Sequence, residues 1–155
     1  MTRDVHTSTL KICERILGKT STSQAKKKAR LIFCDVDESI ENQQSPYPTC
    51  YRLGATDWLL VNHANVFSRV RLDNASRLLI AHIKASSKNG IIADLCCGNG
   101  VLGLTAGIRN PNAEILFFDE SFMAVASTTE NIKRIIPKQL TRVICADGLG
   151  ETTSN

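Results

Sequence analysis

Gly90-Ile-Ile-Ala-Asp94-Leu-Cys-Cys-Gly-Asn-Gly100 runs from apolar residues into a glycine-bearing turn, and the apolar stretch Val101 to Arg109 follows directly. Read as strand, turn and helix, the segment opens a regular alternation. Strand (Ile91 to Leu95), helix (Val101 to Arg109), strand (Glu114 to Phe118), helix (Ser121 to Ile135) and strand (Arg142 to Ala146) succeed one another through short loops. That order is the signature of right-handed parallel crossovers and predicts an α/β, Rossmann-like sheet. Asn110-Pro111-Asn112 stops the first helix, Pro137 stops the second, and Ser121 is placed to cap the second.

Outward from this core, Tyr51 to Leu53 and Trp58 to Asn62, joined by Gly54-Ala-Thr-Asp57, form an expected hairpin packed ahead of the sheet. Leu72 to Ala85 has helical periodicity, with Asp73 at its first turn. Residues 8–30 are expected to be helical, with Ile12, Ile16 and Leu17 on one stripe, then a break at Gly18 to Ser23 and a second, basic helix. Leu31 to Cys34 suits a short strand, and the polar stretch Asp35 to Thr49 suits a linker. The expected division is a helical, basic lead-in over 1–49 and a main domain over 50–155. The chain closes soon after the third parallel strand, so the sheet is expected to be truncated, with an unpaired edge and apolar helix faces left uncovered.

Asp94, Asp119 and Asp147 fall at the carboxyl ends of three consecutive strands, where an open parallel sheet places its ligand. Gly98 and Gly100 allow positive φ and close approach of the backbone. Amides of the turn and helix start suit a ligand carboxylate. The Asp119 carboxylate suits both hydroxyls of a ribose, and Asp147 suits an adenine amine. Gly98-x-Gly100-x-x-Gly103 also satisfies a dinucleotide fingerprint, leaving a fragment that binds a nicotinamide dinucleotide as an alternative. Asp94 argues for the other choice. A carboxylate beside the turn repels a pyrophosphate but accommodates the sulfonium and ammonium of S-adenosylmethionine. Singly, each acid has a bland explanation as a cap or turn residue.

Residues 1–30 carry eight Lys/Arg against two acids, whereas the remaining 125 carry eleven against thirteen. Lys26-Lys27-Lys28-Ala-Arg30 concentrates the positive charge, suiting either a solvated helix face or contact with RNA phosphates. The six cysteines show neither Cys-x-x-Cys spacing nor nearby histidine pairs, so no metal site is expected. They suit the reduced thiols of a cytoplasmic chain, with Cys97 and Cys145 expected to be buried at strand ends. No apolar run approaches the ~20 residues that span a bilayer, and residues near Met1 have no signal-peptide core.

Four stretches together resemble the class I S-adenosylmethionine-dependent ribosomal RNA guanine methyltransferases that act on the exocyclic amine. They are Lys26-Lys-Lys-Ala-Arg-Leu-Ile-Phe33, His63-Ala-Asn-Val-Phe-Ser-Arg69 with Leu72-Asp73, Asp94-Leu-Cys-Cys-Gly-Asn-Gly-Val-Leu-Gly-Leu104, and Phe118-Asp-Glu-Ser-Phe-Met-Ala-Val-Ala-Ser127. The resemblance implies a class I methyltransferase sheet, S-adenosylmethionine as donor and ribosomal RNA, of the large subunit rather than the small, as partner. It implies that Asp94, Cys96, Gly98, Asn99 and Gly100 form the donor loop and that Asp119, with Glu120 beside it, holds the ribose. Asp147 would then lie on the adenine side, Phe67 in the segment covering the donor, and Lys26, Lys27, Lys28 and Arg30 at the RNA.

Cys96, Arg71 and Ala75 stand where that family usually has glycine. If Cys96 needs positive φ, its Cβ adds strain of ~1–3 kcal/mol. The family's Asn-Pro-Pro-Phe or Asn-Pro-Pro-Tyr tetrapeptide, which accepts from the target amine and stacks on the base, does not occur in the 155 residues. The resemblance therefore implies an enzyme, no catalytic residue is assigned in this chain, and the chain by itself is expected to transfer no methyl group. The competing expectation is a non-catalytic module that binds RNA or the donor.

Overall fold

The structure, a computed structural model, describes residues 5–41 and 44–149, so residues 42 and 43 of the expected linker lie outside the described residues. Two compact units divide between Ser45 and Pro46. In the first, helix α1 (Thr7–Ile16) leads into strand β1 (Thr20–Thr22), which pairs antiparallel with β2 (Ile32–Cys34) in the register Thr20↔Cys34 and Thr22↔Ile32.

This hairpin corrects the expected second basic helix. Lys26 and Ala29 exchange two backbone hydrogen bonds of 2.9 and 3.0 Å. Lys27 and Lys28 form the two-residue tip, with φ of 50° and 63°. Lysine tolerates a helix well. However, a helix here would leave Ile32–Cys34 without the partner that Thr20–Thr22 provides, and strand pairing overrides the local preference. Two positive-φ residues at the tip match the twist of a tight hairpin.

In the second unit, β3 (Thr49–Arg52) and β4 (Leu59–Asn62) form the expected antiparallel hairpin, shifted by one or two residues at its ends. Helix α2 (Asn74–His82) begins at Asp73, whose side chain accepts from the Ser76 amide at 2.9 Å. Asp73 is thus the N-cap and lies just before the first turn.

The sheet comprises β5 (Gly90–Leu95), β6 (Ala113–Asp119) and β7 (Thr141–Cys145), all parallel and in sequential order, with α3 (Val101–Arg109) and α4 (Phe122–Ile135) as crossovers. These boundaries lie within one residue of the sequence reading at nearly every end. Ile115 and Phe117 of β6 are fully buried with Leu104 of α3, and Ile132 and Ile136 close the same core. Gly103 is required by this packing, because a Cβ there would fall 2.2 Å from the Phe117 ring. At the outer strand, Ile91 and Leu95 remain exposed.

The Arg109 guanidinium donates to the carbonyls of Ile80 and Ile83 at 2.6 and 2.7 Å, fixing the end of α2 beside α3. Cys145 departs from its expected burial. It is exposed at the end of edge strand β7, and its thiol donates to the Glu120 carbonyl at 3.6 Å. All six cysteines are free thiols.

Candidate functional site

The loop between β5 and α3 is built from both sides. Cys96, Gly98 and Gly100 all have positive φ, of 55°, 58° and 81°. Arg71 and Ala75, the other two residues at expected glycine positions, do not. The Cys97 amide donates to the Phe118 carbonyl at 2.9 Å, extending the sheet contact, and the Gly100 amide closes a turn on the Cys97 carbonyl at 2.7 Å. The glycines differ in purpose. A Cβ on Gly98 would meet open space, whereas one on Gly100 would lie 3.0 Å from the Thr128 side chain. Gly98 therefore leaves a face free for a ligand, and Gly100 lets α4 approach.

Asp119 organises the loop as well as facing the cleft. One carboxylate oxygen accepts from the Gly98 amide at 2.9 Å and the other from the Ser121 amide at 2.9 Å. Each oxygen keeps a further acceptor direction, so two ribose hydroxyls can still be received. Cys96, Asp119, Glu120 and Asp147 line one cleft of about 370 Å³ with Leu95 and Phe118. A smaller cavity of about 80 Å³ lies on the other side of the loop, between Phe67, Asp73, Cys96, Gly98 and Asn99. Cys96 borders both, so the two cavities adjoin at its strained backbone. Phe67 is 77% exposed, a large apolar ring available to a ligand at this rim.

Asp94 points elsewhere. It is buried, accepts from the Gly103 amide at 2.8 Å, and lines an apolar cavity of about 420 Å³ with Ile92, Leu102 and Leu79 beside β5. Burial pushes its carboxyl up to about 6; the Gly103 hydrogen bond partly opposes this and the Asp119 charge adds to it. Burial likewise pushes the Cys97 thiol up to about 12, so Cys97 is a packed thiol against Thr128.

Sequence reasoning missed the polar face of α4. Ser127, Thr128 and Asn131 are each fully buried on the side of the helix that also carries Ala124 and Ile132. Asn131 accepts from the Val61 amide at 2.8 Å and donates to the carbonyls of Val61 and Asn99 at 3.0 and 2.9 Å. Thr128 donates to the Gly98 carbonyl at 3.0 Å, and Ser127 accepts from the His63 amide at 3.0 Å. Asn99 donates in turn to Asn62 Oδ1 at 2.8 Å and to the Tyr51 hydroxyl at 3.2 Å. The signal was present as polar residues at core-facing positions of an otherwise amphipathic helix.

Among the described residues no cluster of three His, Cys, Asp or Glu is placed to hold a metal, and no helix is long and apolar enough to cross a membrane. In the first unit, Lys26, Lys27, Lys28 and Arg30 are all exposed at the hairpin tip.

Two family models between them match most of the chain. Residues 57–155 match the family model described as methyltransferase small domain, and residues 1–38 match that described as RLMG N-terminal domain. The ribosomal RNA large subunit methyltransferase G of Klebsiella pneumoniae subsp. pneumoniae is 50% identical over 140 residues, 90% of this chain and 37% of that protein. The protein of the same name from Klebsiella pneumoniae strain 342 is 49% identical over the same proportions. The chain thus spans just over a third of the length of these curated relatives. Among solved structures, precorrin-6y C5,15-methyltransferase from Geobacter metallireducens aligns with a TM-score of 0.45 and 12% identity, over 58% of this chain and 47% of that one.

Proposed function

Because the chain belongs to the methyltransferase small domain family, we propose that it forms the donor-binding part of an enzyme that methylates a guanine exocyclic amine in large-subunit ribosomal RNA. The observation that carries this reading is the cleft at the carboxyl ends of β6 and β7. Asp119 braces the loop through Gly98 while facing the same space as Glu120 and Asp147.

The residues fit S-adenosylmethionine by their chemistry. The cleft of about 370 Å³ is within the range of small-molecule sites. Its acids are acceptors for the ribose hydroxyls and adenine amine, and they favour a cationic ligand over a pyrophosphate. Glycine at 98 leaves the loop face open, and Phe67 and Asn99 border the smaller cavity on the far side of the loop. When bound, the donor supplies an electrophilic methyl on a sulfonium. The task of this chain is to fix that methyl in line for the attacking nitrogen, and alignment of this kind supplies much of the rate in bimolecular transfers. Asp94 contributes at a distance, through the Gly103 amide at the start of α3.

The exposed Lys26, Lys27, Lys28 and Arg30 are assigned to RNA phosphates, and the reduced cysteines fit a cytoplasmic protein. With no Asn-Pro-Pro-Phe or Asn-Pro-Pro-Tyr in its 155 residues, the chain alone should incorporate no radiolabelled methyl into ribosomal RNA.

Isothermal titration of the chain with S-adenosylmethionine and S-adenosylhomocysteine tests the donor site. Micromolar binding that disappears in Asp119→Ala is expected. Tight binding of a nicotinamide dinucleotide with none of either methionine derivative would overturn the reading.

A further inference from the structure

We propose that Asn131 and Asn62 are positioning residues for the loop at 96–100, and that hairpin β3–β4 acts through them to hold the loop in its ligand-binding shape. The proposal deepens the donor-site reading and rests on it. Neither residue lines the clefts beside the loop. Both act through Asn99.

Three asparagines from three separate elements meet in the interior. Asn62 of β4 and Asn131 of α4 are fully buried and Asn99 of the loop is 5% exposed. Burying a carboxamide is costly unless its donors and acceptors are used. Here no buried side-chain polar atom among the described residues lacks a partner. Asn131 lies on the same buried side of its helix as Ala124 and Ile132, and its carboxamide directs its bonds to the Val61 backbone and the Asn99 carbonyl.

The direction of the hydrogen bonds shows what is being held. The Gly98 carbonyl is taken by Thr128 and the Asn99 carbonyl by Asn131, so two consecutive peptides of the loop are fixed from α4. From the opposite side, Asn62 Oδ1 and the Tyr51 hydroxyl take the Asn99 side-chain amide, whose own oxygen accepts from the Val101 amide at 3.2 Å. A loop with positive φ at 96, 98 and 100 has little intrinsic preference for this shape. Rotation about the backbone bonds of Gly98 would also turn its amide, which belongs to the 97–98 peptide, away from Asp119. The hairpin therefore reaches the carboxylate in the cleft through one hydrogen-bonded chain, Asn62 to Asn99 to the Gly98 backbone to Asp119. Pre-organisation of this kind spares the ligand the ordering of the loop.

The test compares the intact chain with Asn62→Ala, Asn131→Ala and the control Ile136→Ala. Ile136 is a core residue packed near Gly107, away from the loop. Affinity for S-adenosylhomocysteine is read by titration calorimetry, and amide hydrogen exchange at residues 98–101 is read without ligand. Both asparagine variants should bind at least tenfold more weakly and exchange at least tenfold faster at 98–101, while Ile136→Ala changes neither selectively. If Asn131→Ala does not fold, Asn62→Ala carries the comparison. Binding by the intact chain that Asn62→Ala leaves unchanged would overturn the positioning role and leave the donor reading standing, as would equal weakening in Ile136→Ala. No binding by the intact chain, with faster loop exchange in Asn62→Ala, would overturn the donor reading and support the coupling of hairpin to loop.

Discussion

Two antiparallel hairpins of similar length have opposite fates. In β1–β2, Ile32 and Phe33 are 37% and 51% exposed, whereas in β3–β4 Leu60, Val61 and Asn62 are at 0%, 1% and 0%. Apolar content does not separate Leu31-Ile-Phe-Cys34 from Leu59-Leu-Val-Asn62. The difference comes from what meets the backbone at the strand edge. Asn131 pairs with both the amide and the carbonyl of Val61, and Ser127 takes the His63 amide, so α4 stands in for a neighbouring strand. In the first hairpin the side-chain bond to a backbone amide is an exposed one, from Leu31 to Ser23 at 3.0 Å. A strand is buried when each of its polar backbone groups finds a partner, and here polar side chains supply them.

Asn131→Ala is the substitution with the largest expected effect. It leaves the Val61 amide and two buried carbonyls without their partner, at ~1–3 kcal/mol for each unsatisfied group, so a total loss of about 3–5 kcal/mol is expected by urea denaturation. Ser21→Ala in β1, by contrast, should change stability by no more than ~0.5 kcal/mol, as exposed sites generally do. Equal losses would erase the distinction between the hairpins.

Polar burial in the second unit is not uniformly favourable, and Asp94 marks its limit. Its folded-state carboxyl titrates near 6, well above the usual carboxylate value, because burial disfavours the charge. A raised value means that the folded state holds the proton more tightly. The resulting stability is fully present below about pH 4 and is lost as pH rises through about 6. The shift corresponds to about 2–3 kcal/mol at neutral pH. Asp94→Asn, which keeps an acceptor for the Gly103 amide, should raise stability at pH 7 by about that amount and flatten its pH dependence between 4 and 6. A pH profile that is unchanged in the variant would remove Asp94 as its source.

The contrast between the units also explains what the sequence could tell. From Ile91 to Cys145 the period of the apolar residues, the prolines and Ser121 all point to the same elements, and the sheet was legible nearly to the residue. The place of Asp119 at the end of β6 was legible too, whereas its bonds to the Gly98 and Ser121 amides were not. Gln24 to Arg30 was not, since a lysine run has no strong turn signal and the pairing that decides it lies in Ile32–Cys34. Asn131 stayed hidden because its partners Val61 and Asn99 are remote in the chain, and a polar residue on a helix is read first as solvated. Asp94 looked like a ligand of the cleft, yet the strand pleat directs it under α3.

Backbone strain sharpens the comparison on a smaller scale, because each unit carries non-glycine residues at positive φ. Cys96 is held at 55° by a loop braced on both sides. Cys96→Gly should therefore stabilise the second unit by about 1 kcal/mol, the left-handed cost less the entropy of glycine, and strengthen S-adenosylhomocysteine binding. No gain in either quantity would mean that the braced loop absorbs the Cβ without strain.

Lys27 and Lys28 are the counterpart at the first hairpin, where no buried network enforces the turn. Asparagine followed by glycine suits such a tip far better than two lysines. The double substitution Lys27→Asn, Lys28→Gly should stabilise the first unit by only ~0.5–1 kcal/mol, and it removes two of the four charges assigned to RNA. The variant should thus melt higher while binding ribosomal RNA more weakly, with a logarithmic salt dependence shallower by roughly one to two. A more stable variant with unchanged RNA affinity and salt slope would instead make the tip a solvated turn, and polar residues in the first unit would then face water for its own sake while those in the second hold a site together.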